Sequence, residues 1–575
     1  MAENRTRFPA FVGPSNTTRS GRFDCERTVN MYLEKDALGS GKGEEPAMLI
    51  GSPGLKLLQN MGAGPVRKIH VPSSNLNLVY IVSGNQVFMA SSDFQSVTTC
   101  VGNAATSGKA TLTFNGYVAP FTPAYPLQIT SGAYALGVSI DGGAAANHVV
   151  TATGSDTMTS MAALLTTSIG VPVTAVGNAW IVTSTTTGTA SSIVVTPPTT
   201  GKNLLTSIVS ALATINPTTG ANTSNQGAIA GTGVLLTQNS TVSIADNGQQ
   251  LMIVDGLYGY YIPIGSNVLT QIVDVHFYPS NTIDFQDGYF ILNQIGTGYF
   301  FISNLYDVTF PPLNEANKSG SGDNLVGIIC NNRQLILFGT RTTEVWWDSG
   351  GTGAGITPFT RQEGQYSQVG CLAPQTIRRL ATSVVWLGQN EQGGAVVYEL
   401  QNGQAVRISN HAVEFALQSL GDVTTSSAYT YQEEGHVFYV LNPTNSTTTW
   451  VYDLSTQQWT ERQSILNGTT GRHLANHHVF FGARHIVGDY QSGNVYESNL
   501  NYYTDNGAPI PRIRQSPHVS QSLNRMFYSL FELDLEFGVG LSGDISYQTN
   551  GMLIDGVTTL QRITTENGLV IRRTP

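Results

Sequence analysis

One short phrase recurs along this chain and limits what it can fold into. Val397-Tyr398-Glu399, Val451-Tyr452-Asp453 and Val495-Tyr496-Glu497 stand about fifty residues apart. Upstream of them, by 13, 14 and 16 residues, lie the apolar runs VVWL (384–387), VFYV (437–440) and VFF (479–481). Each interval crosses a turn containing Gly or Asn. Each unit therefore reads as an apolar strand, a hairpin turn and a second strand opening Val-Tyr. QNGQAVRIS and STQQWTE add a further turn and strand.

The pattern continues towards the N-terminus more loosely. QLILFGTRTTEVWWDSGG (334–351), GYFILNQIGTGYFFISNL (288–305) and QLMIVDGLYGYYIPIGSN (250–267) each read strand, turn, strand, and LVYIVSGNQVFMASSD (78–93) opens the series. A period of about 40 to 55 residues with three or four short strands per unit is the mark of a β-propeller. A single small sheet cannot cover both of its apolar faces, whereas sheets packed in a ring cover each other and shelter their edges.

Between Ala104 and Ala230 the rhythm breaks. The charged residues there are Lys109, Asp141, Asp156 and Lys202, in a segment dominated by Ala, Thr, Gly and Ser. Met158, Met161, Ala162 and Leu165 follow helical spacing, with Ser155 or Asp156 placed to cap, and Leu205, Ile208, Val209 and Leu212 repeat it. AWIVTSTTTG and SSIVVTPP read as strands. The expected fold is mainly β: a β-propeller body with a small inserted α+β domain and a C-terminal β-rich segment. Residues 1–103 form an N-terminal arm and the first propeller strands, and 104–230 the α+β domain, inserted into the first blade. Residues 231–501 form the propeller blades. Residues 502–575, with LFELDLEFGVG, GDISYQTNG and GLVIRR, form a terminal β-domain or return to complete a blade.

Composition narrows the function. Only 11% of the 575 residues are charged, well below the roughly 25% of typical soluble proteins. The net charge is −10, whereas gripping phosphates takes a surplus of Lys and Arg. No apolar run reaches the roughly 18 residues of a membrane span, and MAENRTRFPAF has no apolar signal core. Cys25, Cys100, Cys330 and Cys371 form no C-x-x-C pair, and Cys330, in GIIC, reads as a small buried hydrophobe.

Signatures of catalysis are weak. GSGKGEE (39–45) lacks the first glycine and the final Ser or Thr of a phosphate loop, and no G-x-S-x-G elbow occurs. His473, His477, His478 and His485 are the densest histidine group, but strand alternation scatters them. Glu399, Asp453 and Glu497 recur with the repeat and read as turn or strand-end acceptors. The expectation is no enzyme activity, no catalytic or metal-binding residue and no cofactor.

RTVNMYLE (27–34), GSPGLKLL (51–58), GPVRKIH and VYIVSGNQVF resemble the opening of the tail-hub proteins of short-tailed bacteriophages, also called packaged-DNA stabilisation or tail accessory proteins. DFQDGYFILNQIGTGYFFISNL (284–305), GIICNNRQLILFGTRTTEVWWDSGG (327–351), QVGCLAPQTI (368–377) and VVYELQNGQAVRISN (396–410) follow the same order. The resemblance spans roughly 20–103 and 231–500 and rests on the order of short motifs. It implies a virion protein, assembled in the host cytoplasm. Six copies would ring the axis below the portal and adaptor rings, prolong the DNA channel, help retain packaged DNA and dock tailspikes or fibres and a needle or plug. Genomic DNA would be met only in transit, and this chain would not insert into a membrane. Arg5, Arg7, Arg19, Arg22 and Arg27 are the candidate adaptor contacts. Two features depart from the family pattern: the 104–230 insertion, and an end at GLVIRRTP where relatives run on. The alternative is a propeller glycan hydrolase or depolymerase of a phage tail, which needs paired acids in one cleft. A cellular propeller scaffold would carry Gly-His and Trp-Asp signatures in its units, and no such recurring signature is present here.

Overall fold

The structure, a computed structural model, describes residues 11–17, 25–35, 47–102, 131–202 and 233–517, with short gaps inside these ranges and a few isolated strand residues elsewhere. Seven small antiparallel sheets succeed one another around a ring. Blade 1 runs outward through Val66–His70, Leu78–Ser83, Gln86–Ser91 and Val97–Thr99. Blades 2, 3 and 4 begin with inner strands Ser243–Asp246, Ile283–Gln286 and Leu325–Asn331. Blades 5, 6 and 7 begin with Arg378–Leu380, Ser427–Glu433 and Ala475–Phe481.

The strands close into a ring because the central residues of their second and third members are apolar on both faces. In blade 5, Val384 and Trp386 pack towards blade 4, while Val385 and Leu387 pack towards blade 6. Period-2 alternation thus sends successive residues into opposite gaps, and both gaps are filled by apolar side chains. Among the described residues seven hydrophobic clusters fill the seven gaps between neighbouring blades, including the one between blades 7 and 1. Each fully buried side chain of this kind contributes about 1.5 to 3 kcal/mol relative to exposure.

The repeated phrase lies on the third strand of blades 5, 6 and 7, at one rung. Val397 pairs with Leu387, Val451 with Val440 and Val495 with Gly488. Each valine faces the following blade and each tyrosine the preceding one: Tyr452 shares a cluster with Val397, and Tyr496 shares one with Val451. For the last unit the expected partner run VFF proves to belong to the inner strand Ala475–Phe481. The actual partner is Arg484–Asp489. It escapes a hydrophobic scan because Gly488 stands where an apolar residue would be expected. A Cβ there would lie 2.4 Å from Val66 Cγ1.

Tight turns link the strands. Asp287-Gly288 (φ 50° and 94°) joins the first two strands of blade 3, and Asn402-Gly403 (φ 50° and 76°) the last two of blade 5. Two consecutive left-handed residues match the twist of a two-residue hairpin.

Blade 7 takes its outer strand from the other end of the chain. Gly54–Asn60 pairs antiparallel with Asn494–Asn499, from Asn499↔Gly54 to Asn494↔Asn60. Cys25–Val29 extends the edge of blade 6 through the parallel pair Val29↔Glu461. The C-terminal segment also returns rather than standing apart. Thr504–Asp505 joins the blade 7 sheet beside Leu55, and Ile513–Gln515 pairs with Arg27–Val29. Of the later strands expected, the described part is the short pair Ile563–Thr564 with Val570–Ile571; LFELDLEFGVG and GDISYQTNG lie outside the described residues.

The inserted unit is α+β. Helix Met158–Ile169 lies with two small sheets over a core of its own, including Met158, Met161, Leu165, Trp180 and Leu136. Two expectations need correction. The helix cap is Thr157, not Ser155 or Asp156: Thr157 Oγ1 accepts from Ser160 N and Ser160 Oγ accepts from Thr157 N. Asp156 instead accepts from the Thr153 N–H at 2.7 Å. The second predicted helix, at Leu205 to Leu212, lies outside the described residues.

The unit is also not inside the first blade, whose four strands are complete by Thr99. It interrupts the link between blades 1 and 2, where Val101–Gly102 pairs parallel with the outer strand of blade 2. The chain leaves and returns at one point, since a Cβ on Gly233 would lie 2.6 Å from Gly102 N and from Cys100 O.

Candidate functional site

The inner strands line a cavity of about 450 Å³, open to solvent, on the axis of the ring. Its walls come from the inner strands of six blades, which place Lys68, Asp246, Asp284, Arg378, Tyr429 and His477 around one space. Both carboxylates are satisfied locally. Asp246 holds His70 Nε2 at 2.7 Å and also accepts from the Ser73 hydroxyl. Asp284 accepts from Arg379 Nη2 at 2.5 Å and from Cys330 N at 2.7 Å.

Two cations form no ion pair among the described residues, although the Asp284 charge acts on Lys68 from farther off. Lys68 has no carboxylate at ion-pair distance among the described residues. Arg378 spends Nη1 on the carbonyl of its neighbour Ile377 at 2.6 Å. The whole Arg378 residue keeps some exposed surface, but its Nη2 is buried and has no hydrogen-bond partner among the described residues. Burial, and then the charge of Arg378, push the Lys68 ammonium down to about 7. Burial lowers Arg378 to about 10. His477 is driven well below its usual range by burial, then by Lys68 and Arg378, and is neutral.

The other histidines disperse. His478 Nε2 meets His485 Nδ1 at 2.9 Å, and the two rings stack. His473 lies elsewhere, 3.9 Å from the Asp505 carboxylate, with Ser464 Oγ bonded to both at 3.2 and 2.6 Å. The residue types of a serine hydrolase thus convene, which the sequence did not suggest because Ser464 and Asp505 are far apart along the chain. The hydroxyl lies between acid and imidazole rather than beyond the imidazole, and all three side chains are buried, so the hydroxyl has no open path to a substrate carbonyl. Among the described residues no three His, Cys, Asp or Glu side chains gather as a metal site, and no helix is long and apolar enough to cross a membrane.

The repeating acids act as acceptors, Asp453 at the end of its strand and Glu399 and Glu497 within theirs rather than at strand ends. Glu399 binds Ser383 Oγ and Gln401 Nε2, and Asp453 binds His436, Ser455 N and Thr456 Oγ1. Glu497 binds Arg484 and the Tyr502 hydroxyl. All four cysteines are free thiols and buried. The segment GSGKGEE lies outside the described residues.

Of the five N-terminal arginines, Arg5, Arg7 and Arg22 lie outside the described residues. Arg19 is exposed, with its guanidinium 5.8 Å from the Phe415 ring centroid. Arg27 is engaged within the chain: its Nη2 and Nε hold the two oxygens of Glu461 at 2.6 and 3.1 Å. A buried arginine missed in the sequence, Arg67, gathers the carbonyls of Gly84, Thr237 and Ser240 and so anchors the chain where it re-enters the propeller.

Three comparisons bear on identity. Residues 220–502 match the family described as bacteriophage P22 Gp10, β-propeller. No curated protein matches the chain. Solved structures similar to it include YCF48 from Cyanidioschyzon merolae, at 8% identity and a TM-score of 0.36, covering 78% of this chain and 100% of that one. The WD40 β-propeller domain of Doa1 follows at 10% identity and a TM-score of 0.29, covering 77% and 96%. Likenesses so distant say nothing about function.

Proposed function

The chain belongs, through residues 220–502, to the bacteriophage P22 Gp10 β-propeller family of tail stabilisation proteins, and from that premise we propose that it is the tail hub of a short-tailed phage. It is a structural component of the phage tail. In the proposed role six copies ring the tail axis beneath the portal and adaptor, prolong the DNA channel, help retain the packaged genome and offer docking surfaces to tailspikes or fibres and to a needle or plug. The family match is the observation that carries this reading. A ring of seven sheets clasped at both chain ends suits a part that must stay rigid while DNA passes. Assembly would take place in the host cytoplasm, with the exposed Arg19 among the adaptor-facing groups.

Electron microscopy of the purified protein mixed with portal–adaptor complex tests the proposal. A new sixfold layer at the adaptor end is expected. Protein that stays monomeric and adds no layer would sink it. Turnover of host polysaccharide by the pure protein, lost on changing one acid, would favour a depolymerase instead.

A further inference from the structure

We propose that the axial cavity of each propeller is a binding site for a small tetrahedral oxyanion of the phosphate class, held between Lys68 of blade 1 and Arg378 of blade 5. Like charges crowded along a partly buried cavity are costly unless opposite charge meets them. Here Asp246 and Asp284 pair with His70 and Arg379, and Asp284 acts on Lys68 only from beyond ion-pair distance, so Lys68 and Arg378 face a space of about 450 Å³ without a direct counter-ion among the described residues. Arg378 Nη2 is a buried donor with no acceptor among the described residues; a turn of its side chain into the space would present the guanidinium fork, which matches the oxygens of a phosphate. His477, kept neutral, offers a further polar contact without adding charge. The volume suits a hydrated small anion and is far too small for a duplex.

The chemistry of the ligand follows from the donors. Lys68 and Arg378 both line the space, where no metal ligand set occurs among the described residues; an ammonium and a guanidinium are donors only, so an oxyanion satisfies them and a cation does not. A bound anion would also restore the full charge of Lys68, whose ammonium burial and Arg378 now hold near 7. Because Lys68 and Arg378 belong to blades on opposite sides of the ring, the anion would cross-link them and stabilise the folded ring over the open chain.

The test is thermal unfolding and calorimetric titration of the full chain with inorganic phosphate, in chloride buffer at constant ionic strength, with sulfate as a second arm. Phosphate should raise Tm saturably, and binding near pH 7.5 should take up protons, read as a heat that varies with the buffer's ionisation enthalpy. Lys68→Met should weaken binding about tenfold or more and, without phosphate, should raise Tm by removing an unpaired cation. Arg378→Gln should likewise weaken binding. If that variant fails to fold, Lys68→Met decides alone. Absence of a phosphate response in the unaltered protein, or an equal response in Lys68→Met, overturns the proposal. The cavity belongs to a single chain, so failure of the ring to assemble on the portal would leave this result untouched.

Discussion

At the scale of single residues, the repeated valine and tyrosine are legible in the sequence because packing alone demands them, two faces of one strand serving two gaps. The polar residues of the core are not legible, since their neighbours come from remote segments. His473 is pushed from the ordinary 6.5 to about 3 by burial and then by Arg462 and Arg472, and His478 to about 3 by burial and then by His485. Both histidines titrate lower in the folded state. The stability they confer is therefore complete above about pH 6.5 and is lost as pH falls towards 3, at up to about 1.4 kcal/mol per pH unit for each. Asp505 works in the opposite sense: burial raises it from 3.8 to about 6, so its contribution is present below 3.8 and lost as pH rises through 6. The expected sum is a Tm that falls between pH 7 and pH 4. His478→Gln should flatten that fall by one histidine's share in a series of melts; an unchanged slope would contradict the burial argument.

Elements divide the same way. The hairpins formed by the second and third strands stand out in the sequence, having apolar centres and turns that mostly contain Gly or Asn. Inner strands such as Arg378–Leu380 and Ser243–Asp246 are short and mixed because they line the axis. The clasp strand Gly54–Asn60, GLKLLQN, has no partner near it in sequence, so no local pattern announces it. Its first residue is crowded: a Cβ on Gly54 would lie 2.3 Å from Tyr502 O and 2.7 Å from Thr504 O. Gly54→Ala should destabilise by about 1 to 3 kcal/mol, measured as a lower urea midpoint; a neutral result would mean that the C-terminal segment yields freely. For the inserted unit the contact of Gly233 with Gly102 argues that residues 104–230 can be replaced by a short Gly-Ser link. The shortened chain should keep its circular dichroism and a cooperative melt while incorporating less well into tails. Loss of the propeller signal, or undiminished incorporation, would show that the unit's role has been misread.

For the whole molecule, a net charge of −10 per chain would make any assembled ring strongly negative, and Lys68 and Arg378 lie inside the propeller. Binding of duplex DNA by the pure protein should be weak at about 0.15 M salt, where charges act over roughly 8 Å. Tight, steeply salt-dependent retention in a filter assay would show instead that the walls grip DNA. The clasp has a further consequence, for synthesis. Asn60 and Asn494, bonded through their side chains at 2.7 Å, are 434 residues apart in sequence. At about 5 to 20 residues per second the ribosome needs roughly 20 to 90 s to deliver the second after the first. Throughout that interval the N-terminal strand has no blade to join and the growing arc keeps two open ends. Closing so long a loop makes ring completion the late, slow step of folding, and a nascent chain stalled before residue 494 presents an unpaired strand to whatever chaperone or sister chain is near.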